Sequence, residues 1–400
     1  MSAPTTALAP TGAREVPSRP RSGHLHQIDM VRVLAFSFVI LAHVVNGVND
    51  MADPDVAAVS MSMHFTRSAF FFLTALVLVY GYRDRPSGVF SFWRKRIGVV
   101  AVPYVVWSAI YTAINAPDAT LGDFARALLQ NLITGGAMYQ LYFLVVTIQF
   151  YLVFPLFLAV LRAMRRWPVL TLSIAIAFQF AYDSFFSIQP APVDGFLGEH
   201  WQVVTSVLPS YLIYFVIGGV VAMHLEVVTE WTRKHFWAML GFAGAGLIAV
   251  QINYYANIGE GMHPFTASNP LQPSLMIWCV PAVLAVYAIG VRWADRRQPG
   301  SVADKVLQGG TLRAFGIFLA HPLVLSLIYD NLLGQLIGNF GFMGATTIVY
   351  LLGVAGSVLL VELVRRTPFS TKLIGRPSTP LLSAKARNTL RSLGGLKPTA

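Results

Sequence analysis

Long apolar segments alternate with short polar ones along almost the whole chain. A helix needs about 20 mostly apolar residues to cross a bilayer, and ten runs meet that length. We predict spans at 27–48, 60–82, 97–115, 140–163, 168–187, 206–225, 236–254, 271–291, 312–330 and 342–364. A shorter amphipathic stretch, 122–133, is expected to lie at the membrane surface. The pattern therefore predicts an all-α polytopic membrane protein with about ten transmembrane helices.

The two ends of the chain lack such apolar runs. Residues 1–26 are rich in Pro, Ser, Thr and Arg, which favours a disordered cytoplasmic tail and not a secretory signal, because a signal needs an apolar core. Residues 27–366 form the predicted membrane domain. Residues 367–400 are basic and contain several Pro and Gly, so we expect a second cytoplasmic tail there.

Composition agrees with a bilayer environment. Hydrophobic residues make up 55% of the 400-residue chain and charged residues 12%, whereas soluble domains carry roughly 25% charged residues. The mean hydropathy is +0.60. The single cysteine, Cys279, excludes an intrachain disulfide and a multi-cysteine metal site.

The net charge of +11 would by itself suggest a nucleic-acid partner, but its distribution indicates membrane topology instead. All but three of the Lys and Arg residues fall in segments that ten spans place on the same side as both termini. Cytoplasmic loops collect Lys and Arg, so both termini are predicted to be cytoplasmic. The protein itself is expected to be a multi-pass protein of the cell membrane. The basic loops are expected to contact anionic membrane lipid, with no nucleic-acid partner. The three exceptions are Arg32, Arg67 and Arg126.

The first span carries two ionisable residues, Arg32 and His43. Eleven residues at ~100° each is about three turns plus 20°, so both side chains project from one helix face, about 16 Å apart along the axis. Asp29, one turn earlier, is placed to pair with Arg32. Intramembrane ionisable residues are functional candidates by default. The alternatives are that Arg32 extends to the headgroups and that His43 makes a structural hydrogen bond between helices.

Five segments resemble the acyltransferase 3 family of membrane O-acyltransferases, in the family's order and over residues 24–366. The first, IDMVRVLAFSFVILAHVV, contains Arg32 and His43 separated by ten residues, as in that family. The others are AFFFLTALVLVYGY (69–82), FWRKRIGVVAVPYVVW (92–107), LYFLVVTIQFYLVFP (141–155) and FGIFLAHPLVL (315–325).

The chain also departs from the family pattern at three positions. The family usually has a second Arg three residues after the one that aligns with Arg96, and Val99 occupies that position. Arg94 or Lys95 could substitute for it. Ala75 stands where the family usually has Gly, and Tyr142 where it often has Trp.

The resemblance implies transfer of an acyl group from cytoplasmic acyl-CoA, with acetyl-CoA expected, to a hydroxyl group. The acceptor class stays open between a cell-envelope glycan, a glycolipid and a secreted small molecule. His43 suits the general base, since its ordinary pKa near 6.5 leaves much of it neutral, although an acyl-histidine intermediate is an alternative. Arg32 is the second predicted catalytic residue, on the donor side, and His321 a helper, or else a structural hydrogen-bonding residue.

Two further groups complete the predicted site. Arg94, Lys95 and Arg96 are expected to bind the phosphates of acyl-CoA; the alternative is an ordinary basic flank. His64 and Arg67, three residues apart, are expected to bind the acceptor; the alternative is an interfacial pair at a helix end. No metal site is predicted, because no His and carboxylate residues have metal-ligand spacing.

A function of another class also fits ten helices with intramembrane Arg and His. The protein could export a polysaccharide or a small molecule. Transporters often contain inverted repeats and broken helices at matching places, and the sequence has no such internal symmetry.

Overall fold

The computed structural model describes residues 24–84, 88–188 and 201–379, and this part of the chain is helical without strands. The helices are α1 His26–Val48, α2 Pro54–Ser62, α3 Phe65–Tyr82, α4 Val89–Asn115, α5 Leu121–Thr134, α6 Tyr142–Ala163, α7 Pro168–Ile188, α8 Leu212–Met223, α9 Leu225–Lys234, α10 Phe236–Gly259, α11 Pro264–Ala267, α12 Leu275–Arg296, α13 Val302–Arg365 and α14 Ser370–Ile374. Most of both predicted tails lies outside the described residues, namely residues 1–23 and 380–400.

Eight helical segments in the described ranges are long and apolar enough to cross a membrane, and Leu208–Met223 with the sharply bent α9 makes a ninth. Helix α13 has 64 residues and reverses direction at Gly341, where φ is 66° and ψ is 177°. Its arms, 302–340 and 342–365, pack antiparallel, because Gly353 contacts Leu325 and Arg313 pairs with Glu362. Each of the ten predicted spans overlaps one or more of these helices, so the predicted all-α polytopic fold is confirmed.

Helix α5 corresponds to the predicted surface stretch. The Thr120 hydroxyl accepts from the backbone N–H of Asp123 and caps the helix, which ends at Gly135 in the left-handed conformation. None of its residues is buried. It is attached to α4 through the Tyr104 hydroxyl, which donates to the carbonyls of Asn131 and Leu132. Helix α5 is therefore a superficial helix held on α4.

Helix α1 is the seam between two hydrophobic clusters. Val31 and Ala35 pack in a cluster built mainly by α3, α6, α8 and α12. Ile40 and Val44 pack in the other, built mainly by α4, α6 and α13. Because one helix contributes to both clusters, any space between them is lined by α1.

Ion pairs gather at one end of the bundle, which we call the basic end. Arg83 pairs with Glu226 across α3 and α9, while Arg297 pairs with Asp304. Glu362 forms ion pairs with Arg313, Arg365 and Arg366. Among the described residues, only the Asp123–Arg126 pair on α5 lies elsewhere. Loops predicted to share one side of the membrane thus meet at one end.

The segment 367–379 folds back onto the bundle at the basic end. The indole N–H of Trp107 on α4 donates to the carbonyl of Leu373, at 2.7 Å. The backbone N–H of Thr379 donates to the carbonyl of Arg365, at 2.8 Å, and Ser370 and Ile374 are buried. This part of the predicted tail therefore packs as an integral piece of the membrane domain.

Candidate active site

A cavity of about 600 Å³ opens between α1, α3 and α13, away from the basic end. We call it the histidine cavity. Its lining includes His43, Asn46, His64, Arg67, Tyr139 and Phe318. His43 and the predicted acceptor pair, His64 and Arg67, therefore face one space, as a common site requires.

His43 is held by ring contacts that leave its nitrogens open. Its imidazole lies 4.0 Å, centroid to centroid, from the Tyr139 ring and 5.5 Å from the His321 ring. The backbone carbonyl of His43 accepts from the Tyr329 hydroxyl at 3.1 Å. Within the described part of the chain, neither ring nitrogen of His43 has a hydrogen-bond partner. The ring is thus positioned by packing, with its nitrogens free for a ligand.

His321 is fully buried behind His43. Its Nδ1 lies 3.1 Å from the carbonyl of Ile317, so Nδ1 donates and Nε2 of the neutral ring bears the lone pair. Nε2 is buried without a hydrogen-bond partner among the described residues. The next residue, Pro322, has no backbone N–H and therefore donates no hydrogen bond within the helix. The structure therefore brings the predicted helper against the predicted base.

His64 and Arg67 begin α3. Nε2 of His64 donates to the carbonyl of Ser268 at 2.9 Å, which fixes the proton on that nitrogen. The Arg67 guanidinium lies against the hydroxyls of Tyr142 and Tyr211. No carboxylate of the described residues forms an ion pair with Arg67, so the histidine cavity contains a cation without a counter-ion.

Arg32 lines a second cavity, of about 250 Å³, toward the basic end. We call it the arginine cavity. Arg376 and the hydroxyl-bearing Thr74, Thr147 and Tyr151 also line it. The predicted Asp29–Arg32 ion pair is not formed; Asp29 instead lies 2.6 Å from Nε2 of His24. Helix α1 thus lines both cavities, the arginine cavity near its start at the basic end and the histidine cavity near its other end.

Three phenylalanine side chains separate the two cavities and line both of them. The ring centroids are 5.6 Å apart for Phe70–Phe143, 6.0 Å for Phe70–Phe318 and 5.3 Å for Phe143–Phe318. We call this set the phenylalanine triangle. The polar stripe from Arg32 to His43 is therefore interrupted by an apolar constriction.

The predicted donor-binding run on α4 does not line either cavity. Arg94 and Lys95 are exposed. The Arg96 guanidinium stacks on the Tyr82 ring, 5.5 Å from its centroid. Val99, where the family pattern has an Arg, is 53% exposed on the same helix. The structure therefore brings His43, His64 and Arg67 to one cavity, with His321 packed on His43. Arg32 lines the other cavity, and these three cations of α4 line neither.

Three possible metal ligands, His24, His26 and Asp29, come within 4.8 Å of one another before and inside α1. Arg297 lies 3.2 Å from Nε2 of His26, and a guanidinium can only donate, so this nitrogen accepts. A metal on Nδ1 would require the proton on Nε2, facing Arg297. The donor set therefore does not fit a metal ion.

Sequence reasoning missed three features of the site. The Tyr139 ring covers His43, although the local sequence does not distinguish this residue from an interfacial aromatic residue. The phenylalanine triangle joins residues of α3, α6 and α13, for which no local pattern exists. Arg376 is, in the sequence, one of several cations of the basic segment 367–400. The sequence suggests a role for Arg376 only through its position in this basic segment, and the other cations of the segment share that position.

Comparisons with known proteins identify the family of this chain. Residues 25–362 match the acyltransferase domain that defines the acyltransferase 3 family. The chain is 21% identical over 370 residues to the "Putative membrane-bound acyltransferase YfiQ" of Bacillus subtilis (strain 168), covering 89% of this chain and 96% of that protein. No solved structure gives a significant match. The chain therefore belongs to the acyltransferase 3 family of membrane acyltransferases.

Proposed function

We propose that this membrane acyltransferase moves an acyl group from cytoplasmic acyl-CoA to a hydroxyl of a cell-envelope glycan, glycolipid or secreted small molecule. The observation that carries the proposal is the His43 imidazole, whose nitrogens have no partner among the described residues and which lines the histidine cavity. A general base needs such freedom to reach the proton that it removes.

The proposed reaction forms an ester bond to the acceptor and breaks the thioester C–S bond of acyl-CoA. The acceptor oxygen attacks the thioester carbonyl carbon while His43 takes its proton. The C–S bond then breaks, and the thiolate of CoA leaves and receives the proton from His43. The products are an ester and free CoA. His321, stacked 5.5 Å from His43, holds the ring in place. An acyl-His43 intermediate is the alternative route, and it would give the same products, an ester and free CoA, in two steps.

The acceptor side is the histidine cavity. Arg67 has no carboxylate partner among the described residues, and this favours an acceptor that carries an anionic or strongly hydrogen-bonding group, because a buried cation without a counter-ion is costly. Ser268, Asn46 and His64 supply polar contacts on the same surface. Aromatic walls and few polar groups are typical of a site that orients a sugar or an amphipathic molecule.

The donor side is the arginine cavity. Arg32 lies about 16 Å from His43 along α1, and the phenylalanine triangle stands between them. We infer that the thioester arm passes this constriction to reach His43, while Arg94, Lys95 and Arg96 attract the phosphates of CoA from the cytoplasm through long-range charge.

The test uses purified full-length protein in detergent, with labelled acetyl-CoA and a total extract of glycans and lipids from the envelope of the source cells. We expect labelled acceptor and free CoA in equal amounts. His43→Gln should lower this transfer by about 100-fold or more, the usual contribution of a general base. His235→Gln, at an exposed position, is the control and should transfer normally.

Two results would contradict the proposal. The first is full transfer by His43→Gln. The second is activity that appears only in sealed vesicles with a gradient, since a transferase needs neither. That second result would instead support export of a polysaccharide or small molecule.

A further inference from the structure

Arg376 and Arg32 line the same cavity although they come from opposite ends of the chain. Arg32 is partly buried on α1, and Arg376 is exposed at the rim. Within the described residues, neither guanidinium has a carboxylate within ion-pair distance. Two unpaired cations facing one small space repel each other, and an anion between them would remove that cost.

The position of Arg376 is set by several contacts. Its carbonyl accepts from the Ser370 hydroxyl at 2.8 Å. Gly375, in the left-handed conformation at φ 63°, ends α14, and a Cβ built there would lie 3.1 Å from the carbonyl oxygen of Val99. With the bond from Trp107 to Leu373, these contacts fix the backbone beside α4. Arg376 is therefore held at the cavity and is not a freely moving tail residue.

We propose that Arg32 and Arg376 form a binding site for a phosphate group, with segment 367–379 as one wall of it. Guanidinium groups bind phosphate through forked, charge-assisted hydrogen bonds, and two of them can bind different oxygens of one phosphate. The hydroxyls of Thr311 and Thr74 on the same cavity wall donate to the carbonyls of Asp29 and Phe70, so the two guanidinium groups are the proposed donors to the phosphate.

The donor is the favoured source of this phosphate, an assignment that rests on the proposed function. The arginine cavity ends at the phenylalanine triangle, beyond which His43 lies. A phosphate held at Arg32 and Arg376 leaves the attached thioester arm directed at that constriction. A lipid headgroup offers the same chemistry, so the experiment must separate the two sources.

The experiment measures equilibrium binding to the full-length protein in a maltoside detergent, which contains no phosphate. The probes are CoA, inorganic pyrophosphate and phosphatidic acid in mixed micelles. We expect Arg376→Gln and Arg32→Gln each to weaken CoA binding by about tenfold or more. Arg376→Lys, which keeps the charge but loses the fork, should lose less. Lys372→Gln removes an exposed cation of α14 and is the matched control, with unchanged binding.

Each outcome decides the proposal. Equal CoA affinity for Arg376→Gln and Lys372→Gln would overturn the site. Loss of phosphatidic acid binding with normal CoA binding would overturn the donor as its ligand and identify a lipid. His43→Gln should bind CoA normally, so a protein that binds CoA through Arg376 but transfers no acyl group would leave this site standing while the proposed function fails.

Discussion

The histidine pair shows what single residues contribute to the site. The ring nitrogens of His43 have no hydrogen-bond partner among the described residues, whereas His321 is fixed by its bond to the carbonyl of Ile317 and presents its ring to His43. The two imidazoles thus have different tasks: one is available to a ligand, and the other limits where the first can lie.

Replacing His321 tests this division. His321→Asn keeps an N–H able to donate to Ile317 but removes the ring that packs on His43. We expect kcat to fall by about 10- to 100-fold, because small displacements of a catalytic group are costly, with an unchanged Kd for CoA. Steady-state kinetics and CoA binding in detergent measure both. His235→Asn is the control, and an unchanged kcat for His321→Asn would show that the ring contact does not position His43.

The phenylalanine triangle is an element-scale device, because α3, α6 and α13 each supply one ring. Phe143→Leu removes the ring that is closest to Phe318 while keeping the position apolar. We expect water to reach a thioester in the widened constriction, so acetyl-CoA hydrolysis without acceptor should rise several-fold. Release of free CoA measures it. Phe154→Leu changes a buried ring that lines neither cavity, and equal hydrolysis by the two variants would contradict a sealing role.

The hairpin of α13 depends on one glycine. At φ 66° and ψ 177°, Gly341 occupies a region that is almost exclusive to glycine. A Cβ there meets nothing within 4 Å, so the cost of Gly341→Ala comes from the backbone alone.

We expect Gly341→Ala to lower the free energy of unfolding by about 1–3 kcal/mol, seen as a lower midpoint of thermal unfolding in detergent. Gly338→Ala is the matched control, because this neighbour has a helical backbone and also meets nothing within 4 Å. It should be neutral or stabilising. Equal midpoints for the two variants would mean that the reversal does not need the left-handed conformation.

At the scale of the whole molecule, the ion pairs and the folded segment 367–379 define one end of the bundle as basic. The positive-inside rule predicts that this end faces the cytoplasm. The histidine cavity then opens toward the opposite side, where the proposed envelope acceptor would be found.

Cysteine labelling can test this orientation, since Cys279 is the single cysteine of the chain and is buried. In a Cys279→Ala background, a membrane-impermeant maleimide on intact cells should label Asp118→Cys, before α5. Gln298→Cys, between α12 and α13, should react only after permeabilisation. Both positions are exposed, so a difference reports the side of the membrane. The reverse pattern would invert the topology and move the donor site outside.

The sequence by itself determined the helical membrane fold, the ten apolar segments, and the placing of Arg32 and His43 on one helix. These features depend on composition and periodicity within single helices, where each residue's neighbours in space are its neighbours in the chain. It also indicated His321, His64 and Arg67 by residue type, because ionisable groups are rare in apolar spans.

Only the tertiary structure decided which of these groups share a cavity. The contact of Tyr139 with His43, the phenylalanine triangle and the approach of Arg376 to Arg32 each join distant parts of the chain. Such contacts follow from how helices pack and where a terminal segment folds back, and no local pattern encodes either. For the same reason, Arg94 and Lys95 looked like ligands in the sequence, yet both lie on an exposed face of α4.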